Sequence, residues 1–405
     1  MLRFKNDDGT NFPDWEEKSF GDFLITHSEK TSNKDSYPLY SLTIESGVQP
    51  KTERYEREFL VKKEGDNYKI VPPNAFVYNP MNLRFGALKV NHEKFSVSVS
   101  GYYDVFSLKD DSTLAFWENY LVTPRMLNYY FSIATGSLIE KLRVHYSQFV
   151  KIKKAVPSLP EQQKIADFLS TIDTVIEKQK ATVEAWEERK KGVMQKLFSQ
   201  DVRFKADDGS EFPDWEEKKV ANLFSKIKEK NKDGKIQNVI TNSAEFGLIN
   251  QRDFFDKDIA VEGKKENYTI IKTGDFVYNP RKSKQAPYGP FNCYQLEEDG
   301  IVSPLYTCLR PKSIVNAYYL FWYFQSGAWY RFIYENGAQN GARHDRVGMT
   351  DSLMQDIPVY VPRSLEEQQK IADCLSSLDD VIKMQKATLT AWKEMKKGLL
   401  QQMFV

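Results

Sequence analysis

Two copies of a Tyr-Asn-Pro motif are the residues in this sequence whose types and spacing come closest to a known chemistry. They lie at Tyr78–Pro80 and Tyr278–Pro280. Methyltransferases that act on adenine use an Asn/Asp-Pro-Pro-aromatic loop to hold the flipped base, but Met81 and Arg281 stand where the second proline belongs. No glycine-rich cofactor loop precedes either motif. We therefore interpret each motif as the end of a strand that proline terminates.

Other catalytic and metal-binding patterns are absent from the 405 residues. The sequence contains no G-x-x-x-x-G-K-[ST] phosphate loop and no G-x-S-x-G nucleophile elbow. The four histidines are separated from one another and from the three cysteines, which argues against a metal centre. So few cysteines favour a reducing, cytoplasmic setting, and the longest apolar stretch is too short to cross a bilayer. We expect no catalytic residue, no metal and no cofactor in this chain.

A second group of residues has the chemistry of DNA recognition. Arg, Asn, Gln and His side chains can make two hydrogen bonds at once to a base edge, whereas Lys, Ser and Thr hold phosphates. In each half, such residues follow the Tyr-Asn-Pro motif and recur in a later loop. Any single one could be a solvated loop residue, but the clusters recur at matching places in both halves. The predicted DNA-binding residues are Asn79, Asn82, Arg84, Lys141, Arg143, His145, Arg281, Lys282, Lys284, Gln285, Tyr288, Gln339, Asn340, Arg343, His344 and Arg346.

The distribution of charge fits this interpretation. Residues 19–158 contain 18 Lys and Arg against 15 Asp and Glu, and residues 219–363 contain 20 against 16. The segment 159–198 holds 7 of each. The positive excess therefore lies outside that segment, although the whole chain carries a formal charge of only +1.

These residues belong to two copies of one plan. Residues 3–18 recur at 203–218, and residues 158–170 recur at 364–376, with nearly the same letters. A repeat of about 200 residues is too long for a solenoid and indicates a duplicated module of one domain and one helix. The stretches between the repeated anchors differ, which is expected of one scaffold that carries two binding surfaces. Simple duplication followed by drift is the alternative.

The helix of each module has the clearest pattern. Apolar positions follow a 4-3 spacing without a break, which is a heptad seam of about five heptads. Each helix would be about 57 Å long and needs a partner, for which its own duplicate is the nearest candidate. Gln179 and Gln385 fall in the seam, where a buried amide usually sets register. The seam residues are Ile165, Leu169, Ile172, Ile176, Gln179, Val183, Trp186, Lys190, Val193 and Leu197, then Ile371, Leu375, Leu378, Ile382, Gln385, Leu389, Trp392, Lys396, Leu399 and Met403.

The segments before the helices have mixed patterns. Residues 75–79, 95–106, 275–279 and 299–309 predict strands, and residues 114–133 and 316–330 predict helices that pack on the sheet. The predicted domains are residues 1–158, residues 159–199 as the first helix, residues 200–363, and residues 364–405 as the second helix.

Several motifs together resemble the specificity (S) subunit of type I restriction–modification systems. They are Pro-x-Trp at Pro13–Trp15 and Pro213–Trp215, Gly-Asp-Phe-Val-Tyr-Asn at 274–279, Val-Ser-Pro-x-Tyr at 302–306, and Glu-Gln-Gln-Lys-Ile-Ala at the start of each long helix. They span nearly the whole chain in the order of that family. The first half departs from the pattern, because Ala75 replaces the Asp and Val99-Ser100-Gly101 replaces Val-Ser-Pro.

The resemblance implies an α+β fold with an internal repeat, in which two mixed α/β target recognition domains are separated by two long helices packed as an antiparallel coiled coil. It implies a cytoplasmic, non-catalytic subunit that reads a bipartite, asymmetric site in double-stranded DNA, one half per domain. Two modification subunits, which carry S-adenosylmethionine and methylate adenine, and restriction subunits would be its partners. Two alternatives remain at this point: a scaffold whose duplicated domains bind proteins, and a methyltransferase that uses the Tyr-Asn-Pro motifs.

Overall fold

The computed structural model describes residues 2–51, 68–138, 141–254, 265–337 and 345–404. The chain forms two compact units. Unit 1 comprises Met1–Ala181 and Lys386–Val405, and unit 2 comprises Thr182–Gln385. Each unit therefore contains one mixed domain and a stretch of both long helices.

In unit 1 the domain is built from short antiparallel strands and three helices, after which the first long helix begins. The strands are β1 (Glu16–Ser19), β2 (Leu24–His27), β3 (Lys30–Thr31), β4 (Tyr40–Thr43), β5 (Gly47–Pro50), β6 (Tyr68–Val71), β7 (Phe76–Tyr78), β8 (Leu88–Val90), β9 (Val97–Val99), β10 (Asp104–Leu108) and β11 (Lys153–Val156). The helices are α1 (Leu114–Tyr120), α2 (Pro124–Ile133), α3 (Tyr146–Phe149) and α4 (Leu159–Phe198), and α4 continues into unit 2. The main sheet has the order β2-β10-β7-β8, and β3-β6-β9, β4-β5 and β1-β11 form the other ladders.

Unit 2 repeats this plan. Its strands are β12 (Glu216–Lys219), β13 (Phe224–Lys226), β14 (Ile240–Ser243), β15 (Gly247–Asn250), β16 (Thr269–Ile271), β17 (Phe276–Tyr278), β18 (Phe291–Cys293), β19 (Gly300–Val302), β20 (Thr307–Pro311) and β21 (Pro358–Val361). Its helices are α5 (Val220–Leu223), α6 (Gln251–Phe254), α7 (Ala317–Ser326), α8 (Tyr330–Asn336), α9 (Asp351–Asp356) and α10 (Leu365–Met403). The main sheet β13-β20-β17-β18 has the same topology as the main sheet of unit 1. The internal repeat and the mixed fold predicted from the sequence are thus confirmed.

Two of the four strand predictions need correction. The strands at 75–79 and 275–279 are confirmed as β7 and β17. Residues 95–106 and 299–309, each predicted as one strand, instead hold two strands around a turn. In the first turn the N–H of Tyr103 donates to the carbonyl oxygen of Ser100 at 3.0 Å. In the second turn the N–H of Tyr306 donates to the carbonyl oxygen of Ser303 at 3.0 Å. The Val-Ser-Gly and Val-Ser-Pro sequences therefore make the same turn, because both place a turn-forming residue directly after serine.

The two domain helices predicted from the sequence are each broken into two. In unit 1 the break precedes Pro124, and the Thr123 hydroxyl accepts the N–H of Met126 at 3.4 Å as the cap of α2. In unit 2 the break is at Gly327, which has a φ of +73° and ends α7 in a left-handed conformation. The two halves therefore use different stop signals at this point.

The long helices carry the seam that the spacing predicts. Every predicted seam position is buried or partly buried. In unit 1, Lys396 of α10 contacts Asp173 of α4 at 2.6 Å. In unit 2, Lys190 of α4 contacts Asp379 of α10 at 2.7 Å. Late residues of one helix thus meet early residues of the other, so the helices run antiparallel within each unit. Both lysines keep their charge paired while their stems lie in the seam.

Each domain core extends onto the ends of the long helices. In unit 1, Ile165, Leu169 and Met403 belong to the same buried cluster as Phe76 and Phe106 of the main sheet. In unit 2, Leu197, Ile371 and Leu375 have the corresponding role. The sheet and the helix ends therefore share one hydrophobic core in each unit, which fixes the domain on its helices.

The repeated N-terminal segment holds the first turn of each long helix. Arg3 donates two hydrogen bonds, at 3.1 and 2.8 Å, to the carboxylate of Glu161, and the Trp15 indole donates a third at 3.1 Å. The Glu161 side chain is fully buried. Arg203 binds Glu367 in the same way, at 3.0 and 2.9 Å. Burying a carboxylate is favourable only when it is paired and hydrogen-bonded, which explains why Arg and Trp recur together in both copies.

Candidate nucleic-acid interface

In unit 1 the Asn-Pro turn after β7 is joined to a loop far along the chain. The amide oxygen of Asn79 accepts the N–H of Met81 at 3.0 Å, which makes a local turn. The carbonyl oxygen of Pro80 accepts the N–H of Val144 at 3.0 Å. The hydroxyl of Tyr78 donates to the carbonyl oxygen of Val144. With the backbone bridge between Thr135 and Arg143, these bonds bring residues 79–87, 135–138 and 141–145 together, and we refer to them as the first reading surface.

Unit 2 repeats this arrangement. The amide oxygen of Asn279 accepts the N–H of Arg281 at 3.1 Å. The carbonyl oxygen of Pro280 accepts the N–H of Val347 at 2.8 Å. The backbones of Arg281 and Arg346 form an antiparallel bridge. Residues 279–290 and 345–347 are therefore brought together, and we refer to them as the second reading surface. The structure thus joins the two predicted clusters in the first half, and in the second half it joins the turn to Arg346, the one member of the later cluster within the described residues.

On the second reading surface the predicted residues are mostly solvent-exposed. Arg281, Lys282, Lys284 and Gln285 are exposed, and Arg346 is partly buried. The side chain of Tyr288, also predicted to bind DNA, is partly buried, and its ring centre lies 5.0 Å from that of Tyr330. The remaining predicted residues, Gln339, Asn340, Arg343 and His344, lie outside the described residues.

On the first reading surface the predicted residues have mixed exposure. Asn82, Lys141 and His145 are exposed, whereas Asn79, Arg84 and Arg143 are partly buried. The backbone of Arg143 bridges that of Thr135. Two residues further on, His145 is the N-cap of α3, and its N–H donates to the side chain of Gln148 at 3.0 Å.

An acidic residue that the sequence analysis missed lies among the arginines of the second reading surface. The carboxylate of Asp345 is 3.7 Å from Nε of Arg281 and 4.0 Å from Nε of Arg346. The three side chains are partly or largely exposed, and such surface ion pairs contribute little stability. Because the pairs are weak, a phosphate or base can replace Asp345 as a partner of either arginine. In the sequence, the position of Asp345 directly before Arg346 is the one sign that it could pair with an arginine of this surface.

A network of amides, with Asn242 and Asn292 buried at its centre, supports the second turn. Nδ2 of Asn242 donates to the carbonyl oxygen of Val277 at 2.7 Å, and Nδ2 of Asn279 donates to the carbonyl oxygen of Asn242 at 3.1 Å. Asn292 donates to the amide oxygen of Asn242 at 2.7 Å, and Gln325 of α7 donates to Asn292 at 3.0 Å. A satisfied network of this kind holds its members in one arrangement. It therefore fixes the turn against β14, β18 and α7.

Gly289 permits a close approach of the chain to the same turn. Its φ is +86°, and an added Cβ would lie 2.2 Å from the carbonyl oxygen of Asn279. A side chain at this position would collide with the backbone that presents Arg281. The two backbones can therefore lie this close only with glycine at position 289.

The Tyr-Asn-Pro motifs have a structural role in both halves. Tyr78 and Tyr278 are fully buried. The hydroxyl of Tyr278 donates to the carbonyl oxygen of Tyr288 at 2.7 Å, as that of Tyr78 does to Val144. Burial raises the pKa of both tyrosines above its ordinary value. Rings in these positions are not available to stack on a base, which favours the strand-end interpretation of the motif.

Neither a metal-ligand cluster nor a membrane-spanning helix is present in the described part of the chain. Among those residues, no three His, Cys, Asp or Glu side chains converge as metal ligands would. Across the same residues, no helix combines the length and the apolar character that a bilayer crossing requires.

Comparison with known proteins identifies the same family for both halves. The family model described as the type I restriction modification DNA specificity domain matches residues 13–185 and 213–391. A putative type I restriction enzyme MjaX specificity subunit from Methanocaldococcus jannaschii is 25% identical over 284 residues. That match covers 65% of this chain and 60% of the length of the relative.

Two solved structures share the fold. The type I restriction–modification S subunit from M. genitalium matches with a TM-score of 0.54 and 13% identity, over 100% of this chain and 99% of its own. A chain from a structural study of complex assembly and conformational transition in a type I restriction–modification system matches with a TM-score of 0.53 and 14% identity. That match covers 97% of this chain and 98% of the other.

Proposed function

Because this chain belongs to the type I restriction modification DNA specificity family, we propose that it is the DNA-reading subunit of a type I restriction–modification complex. The observation that carries the proposal is the repeated junction of an Asn-Pro turn with a distant basic loop. The N–H of Val144 donates to the carbonyl oxygen of Pro80 in one half, and the N–H of Val347 donates to that of Pro280 in the other. Each junction places Arg, Lys and Asn side chains on one surface, which is the combination that contacts phosphates and base edges.

The two surfaces should read two different half-sites of double-stranded DNA. Their scaffolds are equivalent, since β7 and β17 occupy the same place in sheets of the same order. Their side chains differ. The turn of the second surface exposes Arg281, Lys282 and Lys284, whereas the turn of the first surface contains one basic residue, Arg84. Equivalent scaffolds with different reading groups support a bipartite, asymmetric site.

The two long helices should set the gap between the half-sites. The pairs Asp173–Lys396 and Lys190–Asp379 fix the register of α4 against α10 in unit 1 and in unit 2. A continuous helix is a stiff spacer that rises 1.5 Å per residue. A fixed register and a fixed length are what a constant gap requires.

The chemistry should belong to partner subunits. We propose that two modification subunits bring S-adenosylmethionine and methylate adenine, and that restriction subunits complete the nuclease. The buried tyrosines of both Tyr-Asn-Pro motifs support a chain that is itself non-catalytic.

A selection experiment with the purified full chain tests the proposal. Random duplexes that bind the chain should converge on two short sequences separated by a constant gap, and binding should weaken steeply with salt. With S-adenosylmethionine alone the chain should transfer no methyl group, and added modification subunits should start methylation. Convergence on no sequence would favour the protein-scaffold alternative. Methylation by the chain alone would show that it is an enzyme.

A further inference from the structure

The first reading surface contains two exposed phenylalanines that hold an arginine. The side chains of Phe85 and Phe131 are 53% and 57% exposed. The guanidinium carbon of Arg84 lies 4.7 Å from the ring centre of Phe85 and 5.8 Å from that of Phe131. Both distances are within the range of cation–π contacts. We refer to these three side chains as the phenylalanine patch.

The patch is continuous with the predicted DNA-binding residues. Phe85 follows the Asn-Pro turn directly, and Phe131 belongs to the last turn of α2, which leads into the loop of Arg143. That loop is tied to the turn by the bond from Val144 to Pro80. The patch therefore lies on a surface with cationic Arg84, Lys141 and Arg143, whose charge suits a polyanion such as duplex DNA.

The second reading surface has no equivalent exposed phenylalanine among the described residues of its turn. The turn of unit 2 exposes Arg281, Lys282 and Lys284 instead, and its apolar Ala286 is buried. The two turns therefore differ in aromatic exposure, although α8 carries an exposed ring, Tyr334 (65%), in its last turn, as Phe131 lies in the last turn of α2. A feature required by the shared scaffold would recur in both turns, so Phe85 points to what the first half reads.

Exposed aromatic rings beside a groove-reading loop can pack against an apolar group on the DNA. The C5 methyl of thymine is the apolar group that base pairs present in the major groove. We propose that Phe85 and Phe131 contact the C5 methyl group of one thymine in the half-site read by unit 1. This inference rests on the proposed function, and it adds the base that the patch selects.

Replacement of thymine by uracil tests the inference, because uracil differs only in the missing methyl group. The duplex selected by the full chain is synthesised with each thymine in turn replaced by deoxyuridine. Wild-type protein should bind one of these duplexes about fourfold more weakly, since one buried methyl-sized group is worth about that factor. Phe85→Ala should bind the thymine and uracil forms of that duplex equally. Phe95→Ala is the matched control, because Phe95 is 47% exposed in the same unit and its ring packs against Tyr40, and it should keep the discrimination.

The possible outcomes separate this inference from the proposed function. Sequence-specific binding with no sensitivity to any uracil would overturn the inference and leave the function standing. A sensitivity that persists in Phe85→Ala would also overturn it. If Phe85→Ala weakened every duplex equally while uracil had no effect, the ring would act as a wedge between base steps and the inference would be wrong. A chain that selects no sequence would overturn the proposed function itself.

Discussion

The backbone N–H of Val144 donates to the carbonyl oxygen of Pro80 at 3.0 Å, and Val347 donates to Pro280 at 2.8 Å in the second half. The two bonds occupy the same place in the two domains, although the turns that they anchor differ in length and in side chains. Between equivalent strands, β7 and β8 are joined by residues 79–87 and β17 and β18 by residues 279–290. The scaffold bond is thus retained where the reading residues change.

The cationic residues of the second turn should contribute affinity for all DNA sequences alike. We expect the triple variant Arg281→Gln, Lys282→Gln, Lys284→Gln to bind selected and random duplexes more weakly. With fewer phosphate contacts, fewer counterions are released from the DNA on binding. The slope of log Kd against log salt should fall by about one for each phosphate contact removed. Lys191→Gln on α4 is a control for the change of charge alone. An unchanged slope in the triple variant would show that these side chains do not face DNA.

Gly289 should be required for the second turn. Gly289→Ala must move the backbone, because its Cβ would lie 2.2 Å from the Asn279 carbonyl oxygen. Gly274 is the matched control, since its φ of +89° is similar but an added Cβ meets no atom within 4 Å. Gly274→Ala should cost about 1–2 kcal/mol for the left-handed backbone alone, and Gly289→Ala should cost more. Urea unfolding of the two variants measures the difference, and equal losses would contradict the clash.

The paired carboxylate at the start of each long helix should be a major contributor to stability. Arg3→Met leaves the fully buried Glu161 without its cation, and breaking a buried pair in this way costs about 3–5 kcal/mol. Arg3→Met combined with Glu161→Gln should be less destabilised than Arg3→Met alone, because no uncompensated charge remains. The same comparison applies to Arg203 and Glu367. If the double variant were no more stable than the single one, the loss would come from packing rather than charge.

The gap between the two half-sites should widen when both long helices are lengthened together. Four residues inserted between Asp173 and Lys190 of α4, with four between Asp379 and Lys396 of α10, keep both ion pairs in register. They add about 6 Å of rise, which is a little under two base pairs of DNA. Methylation mapping should show the same half-sites with a wider gap and some loss of activity, because the added base pairs also rotate one half-site about the duplex.

An insertion in α4 alone is the control for the ruler. Such an insertion prevents the pairs Asp173–Lys396 and Lys190–Asp379 from forming at the same time. It should therefore lower the stability of the protein rather than widen the gap between the half-sites. An unchanged gap in the double-insertion variant, with full activity, would show that the helices do not set the spacing. New letters in either half-site would show that the reading surface extends into the helices.

The sequence was most informative where a local pattern repeats. The 4-3 spacing predicted α4 and α10 because side-chain periodicity depends only on neighbours along the chain. The Asn-Pro pattern predicted the ends of β7 and β17 for the same reason. Pairings between distant residues could not be predicted in this way. Asp275 forms two hydrogen bonds of 2.7 Å with Arg310, and only the strand register shows why the first half lacks this pair.

In the first half both members of that pair are replaced together. Ala75 stands at the position of Asp275, and Ser107 of β10 stands at the position of Arg310, as the pairing of β10 with β7 shows when it is compared with that of β20 with β17. Ser107 instead hydrogen-bonds His27 at 2.8 Å. The departure of the first half from the family motif is therefore a replacement of both members of a pair, buried Asp275 and exposed Arg310. The phenylalanine patch was missed for a similar reason, since exposure of Phe85 and Phe131 follows from the fold and not from spacing.

Exchange of one reading domain tests the central claim most directly. Residues 219–363 are replaced by the corresponding segment of another family member, and adenine methylation is mapped across the genome of a host that also expresses the modification subunits. We expect one half-site to change to that of the donor, while the other half-site and the gap stay the same. Changes in both half-sites, or a methylated motif that does not depend on this chain, would contradict the account.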